Sequence, residues 1–451
     1  MANNKSVTII GAGMAGLSAA YELHKAGFQT TVLEARNRVG GRVYSLREFS
    51  NGIVVEAGAE YIDENHKRML GYVKEFGLTV ARAGSWQGQT GDWAAFGDKK
   101  GRLIDESVWG FDLGAQYDDM WSKLAKLSDL VSDPNDPASS PNAKEMDSKT
   151  AWDWINEQDV SPEAKMLFRI HIRSEYTCEP EEFSFLDLAR NSAMYYSDRD
   201  SSAWPIAYRV VEGNDQVPKN IAKRLPDLRL NAAVESINVG ADGVDVTYKQ
   251  MGSFHSIHSD YAVLAIPLTV ARSINFNSSL PDTHQKMIQD VSYGSVTKVM
   301  VEYGKRFWHE REWNGRMSTD DPVGYTWEAT NHLEGEHGVI TAYTGGDPAV
   351  AFSKLSDMER IQTTIDFIEK IFPGSAELVV NASTVSWVNE PYSRCSYMAL
   401  APNEVTAYWK TLSTPAGRLY FAGEHATPIQ GFMEGAAESG QRAAKDIIGK
   451  G

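Results

Sequence analysis

Three glycines, Gly11, Gly13 and Gly16, stand at G-x-G-x-x-G spacing directly behind the apolar run Val7-Thr8-Ile9-Ile10. Glycines in this pattern hold a dinucleotide pyrophosphate by backbone. The first permits a tight turn, the second lets the chain approach the phosphates, and the third lets helix and strand pack closely. An acid belongs about 20 residues further on, to meet ribose hydroxyls; Glu34 lies 21 residues past Gly13. Behind it follows Ala35-Arg36-Asn37-Arg38-Val39-Gly40-Gly41-Arg42. There Gly40 and Gly41 allow close backbone approach, and Arg36 and Arg42 can meet phosphate or ribose. A second candidate is Lys298, set between Val296 and Met300 on one face of an alternating strand pattern. Glycine spacing alone leaves NAD and FAD equally open.

The elements that must position these residues are legible in the periodicity. An apolar strand enters the glycine turn, a helix over 17–25 follows, and a second strand over 30–33 ends on Glu34. Residues 53–62 read as a strand and a Gly58-Ala59 turn, with a helix over 66–76. Residues 84–110 carry hairpin texture, and 128–150, rich in Pro, Ser, Asn and Asp, read as an exposed loop. A helical stretch covers 152–199. Strands return at 209–213, 231–237, 243–248, 261–266 and 295–303. An amphipathic helix spans 357–372, a strand 418–422, and a closing helix 433–448. The nucleotide-type pieces thus fall into three separated blocks, with helix- and aromatic-rich blocks inserted between them.

At 451 residues the chain exceeds one compact core. Its net charge of −16 argues against nucleic acid and mildly favours cationic small molecules. The two cysteines, Cys178 and Cys395, form no disulfide framework. No apolar run of membrane-spanning length occurs, and the first strand starts too early to leave room for a signal peptide. A cytoplasmic location is the expectation.

The N-terminal fingerprint, Gly40-Gly41-Arg42, the Lys298 strand and Phe421-Ala422-Gly423-Glu424 together resemble the flavin-containing amine oxidases. That family includes monoamine, polyamine and L-amino-acid oxidases. The run Gly431-Phe432-Met433-Glu434-Gly435-Ala436 looks like the closing motif of monoamine oxidases. The resemblance implies an α/β fold with a discontinuous, glutathione-reductase-like Rossmann domain for FAD, formed by 1–80, 212–286 and 388–451. An α+β substrate domain would take 81–211 and 287–387. It places FAD against Gly11, Gly13, Ala15 and Gly16, with Glu34, Ala35 and Arg36 at the adenosine ribose and Val234 at the adenine. Gly40, Gly41, Arg42, Gly423 and Glu424 would stand near the phosphates. Gly58, Ala59, Glu60, Trp387, Gly431, Met433 and Ala436 complete the cofactor set.

Lys298 falls where the family keeps a lysine that holds a water near the flavin ring. Tyr397 and Phe432 fall at two aromatic positions flanking the substrate, with Tyr61 and Asp63 nearby. The implied reaction oxidises a primary or secondary amine to an imine, with dioxygen reduced to hydrogen peroxide; a homodimer is compatible with it. Two departures bear on this. Ser396 stands where some members attach flavin through cysteine, so noncovalent FAD is expected and Cys395 is an inert buried thiol. Tyr61 stands where many L-amino-acid oxidases place a carboxylate-clamping arginine, and Arg173 is the candidate replacement. Competing readings are an L-amino-acid oxidase, a flavin amine dehydrogenase, and a flavin-free binding protein of the same shape.

Overall fold

The computed structural model describes residues 5–83, 91–195, 206–277 and 280–450. Its organising layer is a parallel sheet of five strands, in the order Leu228–Arg229, Gln29–Leu33, Ser6–Ile10, Tyr261–Leu264 and Leu419–Phe421. The three central strands are mostly buried, as the near-continuous Val, Ile and Leu runs of a covered parallel sheet require. The five strands together come from the start, middle and end of the chain.

Met14–Lys25, the first helix, begins at the glycine turn, and the closing helix Met433–Ile448 lies against it. Their contact is close enough to require glycine: a Cβ on Gly440 would lie 2.1 Å from the Ala15 carbonyl oxygen. This contact brings both ends of the chain to one cofactor-sized groove.

A second sheet of seven mainly antiparallel strands carries Lys298. Its strand Val296–Tyr303 is buried throughout and is paired on both sides, by Gly338–Gly345 and Val379–Ser386. Alternation puts Val299, Val301 and Tyr303 into one apolar cluster, while Met300 packs into another on the lysine face. Beyond this sheet lie the helices Leu113–Ala125, Ala151–Glu157, Pro162–Glu175 and Phe185–Tyr195. They resolve the helical stretch expected at 152–199, whose last four residues lie outside the described ones. Within 84–110 the hairpin is Trp93–Phe96 with Lys99–Arg102; residues 84–90 lie outside the described ones.

The exposed loop expected at 128–150 is corrected. It holds a helix, Ala143–Asp147, and Asp147 is fully buried. Its carboxylate accepts from the Ser184 hydroxyl at 2.7 Å and from the Thr406 N–H at 2.8 Å. Polar composition reads as loop only when nothing distant answers it; here Ser184 and Thr406 do.

Candidate active site

The glycine turn has the construction its spacing predicts. Gly11 has φ of 100°, and a Cβ on Gly16 would lie 2.0 Å from the Gly11 carbonyl oxygen. Gly13 differs: a Cβ there would meet nothing within 4 Å. Its bare side faces a cavity of about 1090 Å³ that every predicted site residue lines except Gly16, whose part is packing. The first intrahelical bond runs from the Leu17 N–H to the Gly13 carbonyl, at 3.0 Å. The N–H groups of the preceding turn therefore have no partner inside the helix. Glu34 closes the turn from below, accepting from the Ala12 N–H at 2.8 Å and the Arg36 N–H at 2.9 Å.

Of the three arginines behind Glu34, the two candidates Arg36 and Arg42 line the cavity, yet both have protein partners. Arg36 pairs with Glu390 at 3.0 Å and donates to the Ser393 hydroxyl. Arg42 bridges the Ser396 carbonyl and the Glu424 carboxylate, the latter at 3.1 Å. Glu424 in turn accepts from the Met398 and Gly431 N–H groups, each at 3.3 Å. One ion pair therefore ties the N-terminal loop to the turn that feeds the closing helix.

At the other end of the cavity stands Lys298. Its ammonium donates to the Glu56 carbonyl at 2.7 Å and the Glu60 carboxylate at 2.8 Å, with the Trp327 ring 5.2 Å away. Glu60 also accepts from Arg209 at 2.6 Å and from the Trp327 indole at 2.9 Å. Burial works against the Glu60 carboxylate, but Lys298 and Arg209 outweigh it and hold its pKa below the ordinary value. Trp387 pins the same corner through an indole bond to the Ala57 carbonyl.

The two predicted aromatic residues meet at this end. Gly431, with φ of 74°, passes so close to Tyr397 that a Cβ on it would lie 3.3 Å from the ring. Phe432 follows immediately as the N-cap of the closing helix, edge-on to His66 at 5.2 Å and tilted against Tyr195 at 5.4 Å. Tyr397 donates to the Glu175 carbonyl at 2.7 Å, and burial raises its phenol well above the ordinary value.

A profile of flavin containing amine oxidoreductases matches residues 14–448. The human flavin-containing amine oxidase B is 30% identical over 99% of this chain and 87% of its own length. The chain belongs to the flavin containing amine oxidoreductase family. An L-amino-acid oxidase from Demansia vestigiata is 28% identical over the same shares. Among solved structures, a redesigned putrescine oxidase superimposes with a TM-score of 0.86 at 26% identity, covering 99% of both chains. A cyclohexylamine oxidase from Brevibacterium oxydans superimposes at 0.87 with 24% identity, again over 99% of both.

As a flavin-containing amine oxidase the chain is an enzyme acting on amines, and its cavity fits the family's cofactor. The open side of Gly13, the helix N-terminus behind it and Glu34 have the shape and polarity that a pyrophosphate and a ribose would need. The same space runs on without a break to Lys298, Tyr397 and Phe432. Cys395 does not line this space. Its thiol faces the Ser393 carbonyl at 3.2 Å and Thr269, burial raises its pKa, and it is Ser396 that borders the cavity.

Arg173, named above as a carboxylate clamp, is corrected: it does not line the cavity. Its guanidinium is spent on Glu179, at 2.8 and 2.9 Å. Asp63 is brought to the cavity as the resemblance implies. It closes the short strand Ile62–Asp63, lines the cavity, and sits 3.8 Å from the His66 imidazole. Tyr61 lies under the Arg209 guanidinium, 5.3 Å from its ring centroid. Sequence reasoning missed Glu175, Tyr325, Tyr343 and Arg316, all on the cavity wall. None belongs to a motif: Glu175 ends a helix, Tyr325 and Tyr343 stand on strands, and Arg316 precedes one.

Proposed function

We propose that the flavin of this enzyme is FAD held without a covalent link, and that its substrate is a primary or secondary amine seated between Tyr397 and Phe432. The products would be an imine, hydrolysed to a carbonyl compound and an amine or ammonia, and hydrogen peroxide from dioxygen. The observation that carries this reading is the continuity of one cavity from Gly13 and Glu34 to Lys298 and the two rings.

Bound flavin supplies the two-electron oxidation of the amine and the return of those electrons to dioxygen. Tyr397 and Phe432 strip water from the incoming amine, which lowers its pKa and favours the neutral form. The hydroxyl of Tyr397, held by the Glu175 carbonyl, fixes its ring plane. Lys298 keeps a positive charge beside the reacting region, secured by Glu60 and two backbone carbonyls. The N-terminus of the closing helix, at Phe432 and Met433, adds a positive dipole end that favours developing negative charge.

Noncovalent attachment rests on the placement of Cys395 away from the cavity. Residues 1–80, 212–286 and 388–451 would form the cofactor half, and 81–211 with 287–387 the substrate half. That division is supported by the origin of the five parallel strands. An L-amino-acid substrate is less well served, since Arg173 pairs with Glu179, and Arg316 on the cavity wall pairs with Asp92. A cytoplasmic location belongs to the same proposal and rests on two free, buried cysteines.

The test is to purify the protein, record its visible spectrum and measure peroxide release with monoamines, polyamines and L-amino acids. A colourless protein sinks the FAD assignment. Turnover confined to amino acids overturns the substrate. Reduction of a dye without peroxide makes the enzyme a dehydrogenase.

A further inference from the structure

The helix Pro162–Glu175 lines the cavity with Ile170, His171, Ser174 and Glu175, residues that share one face at helical spacing. Its last turn holds one wall of the amine slot, since the Glu175 carbonyl accepts the Tyr397 hydroxyl at 2.7 Å. His171 lies one helical turn back from Glu175, about 6 Å along the axis.

The imidazole belongs to an aromatic stretch of the wall. Trp121 stands edge-on to it at 4.5 Å, Phe168 tilts against it at 5.6 Å, and Tyr176 stands edge-on at 6.4 Å. Only 6% of His171 is exposed, and neither ring nitrogen has a hydrogen-bond partner among the described residues. Nε2 is sealed off, so a molecule in the cavity meets the ring at its Nδ1 side. No charged group acts on the ring, and burial alone pushes its pKa down to about 3. The imidazole is therefore neutral near pH 7, with one N–H donor and one lone pair to place.

A buried polar group without a partner is costly. Phenylalanine would fill the same aromatic space free of that cost, so what the imidazole adds is a hydrogen bond to whatever enters. The chemistry of the guest follows from that of the ring. A carboxylate would need the imidazolium, which burial opposes. A neutral hydroxyl fits, because it can donate to the lone pair or accept the N–H. Ser174, between the two points on the same face, has its hydroxyl proton committed to the His171 carbonyl at 3.0 Å.

We propose that His171 selects among substrates, hydrogen-bonding a neutral hydroxyl or phenol that the amine carries about one helical turn from the nitrogen that reacts. This rests on the amine oxidase reading and narrows its substrate class to hydroxylated amines. The reacting nitrogen stays between Tyr397 and Phe432, and the far end of the molecule reaches along the helix to the imidazole.

The experiment compares tyramine with phenethylamine, which lacks only its ring hydroxyl, in the flavin-loaded wild type, His171→Phe and His171→Gln. The wild type should show the lower KM for tyramine. His171→Phe should raise that KM about tenfold, the worth of one hydrogen bond, and leave kcat and the phenethylamine constants little changed. His171→Gln, which keeps a neutral donor and acceptor, should recover part of the preference. A wild type that treats both amines alike overturns the subsite, and so does a His171→Phe variant that weakens both equally. Should that variant fail to fold, the wild-type comparison and His171→Gln decide. Should neither amine be oxidised, the amine oxidase reading fails by itself. His171 is then judged by binding: tyramine should perturb the flavin spectrum at lower concentration than phenethylamine does. Equal concentrations, or no perturbation by either, overturn the subsite too.

Discussion

The Lys298 ammonium and the Glu60 carboxylate are 2.8 Å apart, both almost wholly inaccessible to solvent, and Arg209 reaches the same carboxylate from the other side at 2.6 Å. One acid therefore compensates two cations, and this inequality fixes what each substitution costs. Removing the lysine leaves Glu60 with Arg209 and the Trp327 indole. Removing the acid leaves two buried positive charges facing each other. Glu60→Gln should destabilise the fold by about 3–5 kcal/mol, the cost of breaking a buried pair from one side. Lys298→Met should cost clearly less. Denaturant midpoints on the two variants check the order, and equal losses would refute the arrangement.

Lys298→Met should act on chemistry instead. The variant keeps its fold and its flavin, while stopped-flow reduction by amine or reoxidation by dioxygen slows strongly. Near-normal rates in both half-reactions would remove Lys298 from the reacting region.

The glycines of the opening turn separate stability from binding. A Cβ on Gly16 meets the Gly11 carbonyl at 2.0 Å, so Gly16→Ala must shift backbone and should cost about 1–3 kcal/mol or more. A Cβ on Gly13 meets no protein atom within 4 Å, and the φ of −72° there suits alanine. Gly13→Ala should therefore leave the thermal midpoint of flavin-free protein unchanged while weakening FAD binding, read by flavin content after gel filtration. Equal flavin retention would show that the phosphates do not pass Gly13.

These ends of the chain were legible because their chemistry is local. Gly11, Gly13, Gly16 and Glu34 lie within 24 consecutive residues, and the closing helix was bounded correctly at 433–448 by its own periodicity. Lys298 was legible as a lysine among apolar face-mates, but its partners were not. Glu60 and Arg209 are 238 and 149 residues from their respective partners in that network. The substrate half was the least legible. Asp147 resembled loop and proved buried, Arg173 resembled a clamp and proved paired, and Glu175 drew no notice. For Asp147 the deciding groups, Ser184 and Thr406, are distant in the chain, while Arg173 meets Glu179 six residues on; a single polar residue on a helix carries no sign of which partner it will find.

The placement of Cys395 predicts how flavin leaves the protein. Acid or heat should release intact FAD into the supernatant, and Cys395→Ala should keep its full flavin content. Flavin that stays with the precipitate would show a covalent bond and overturn the noncovalent assignment.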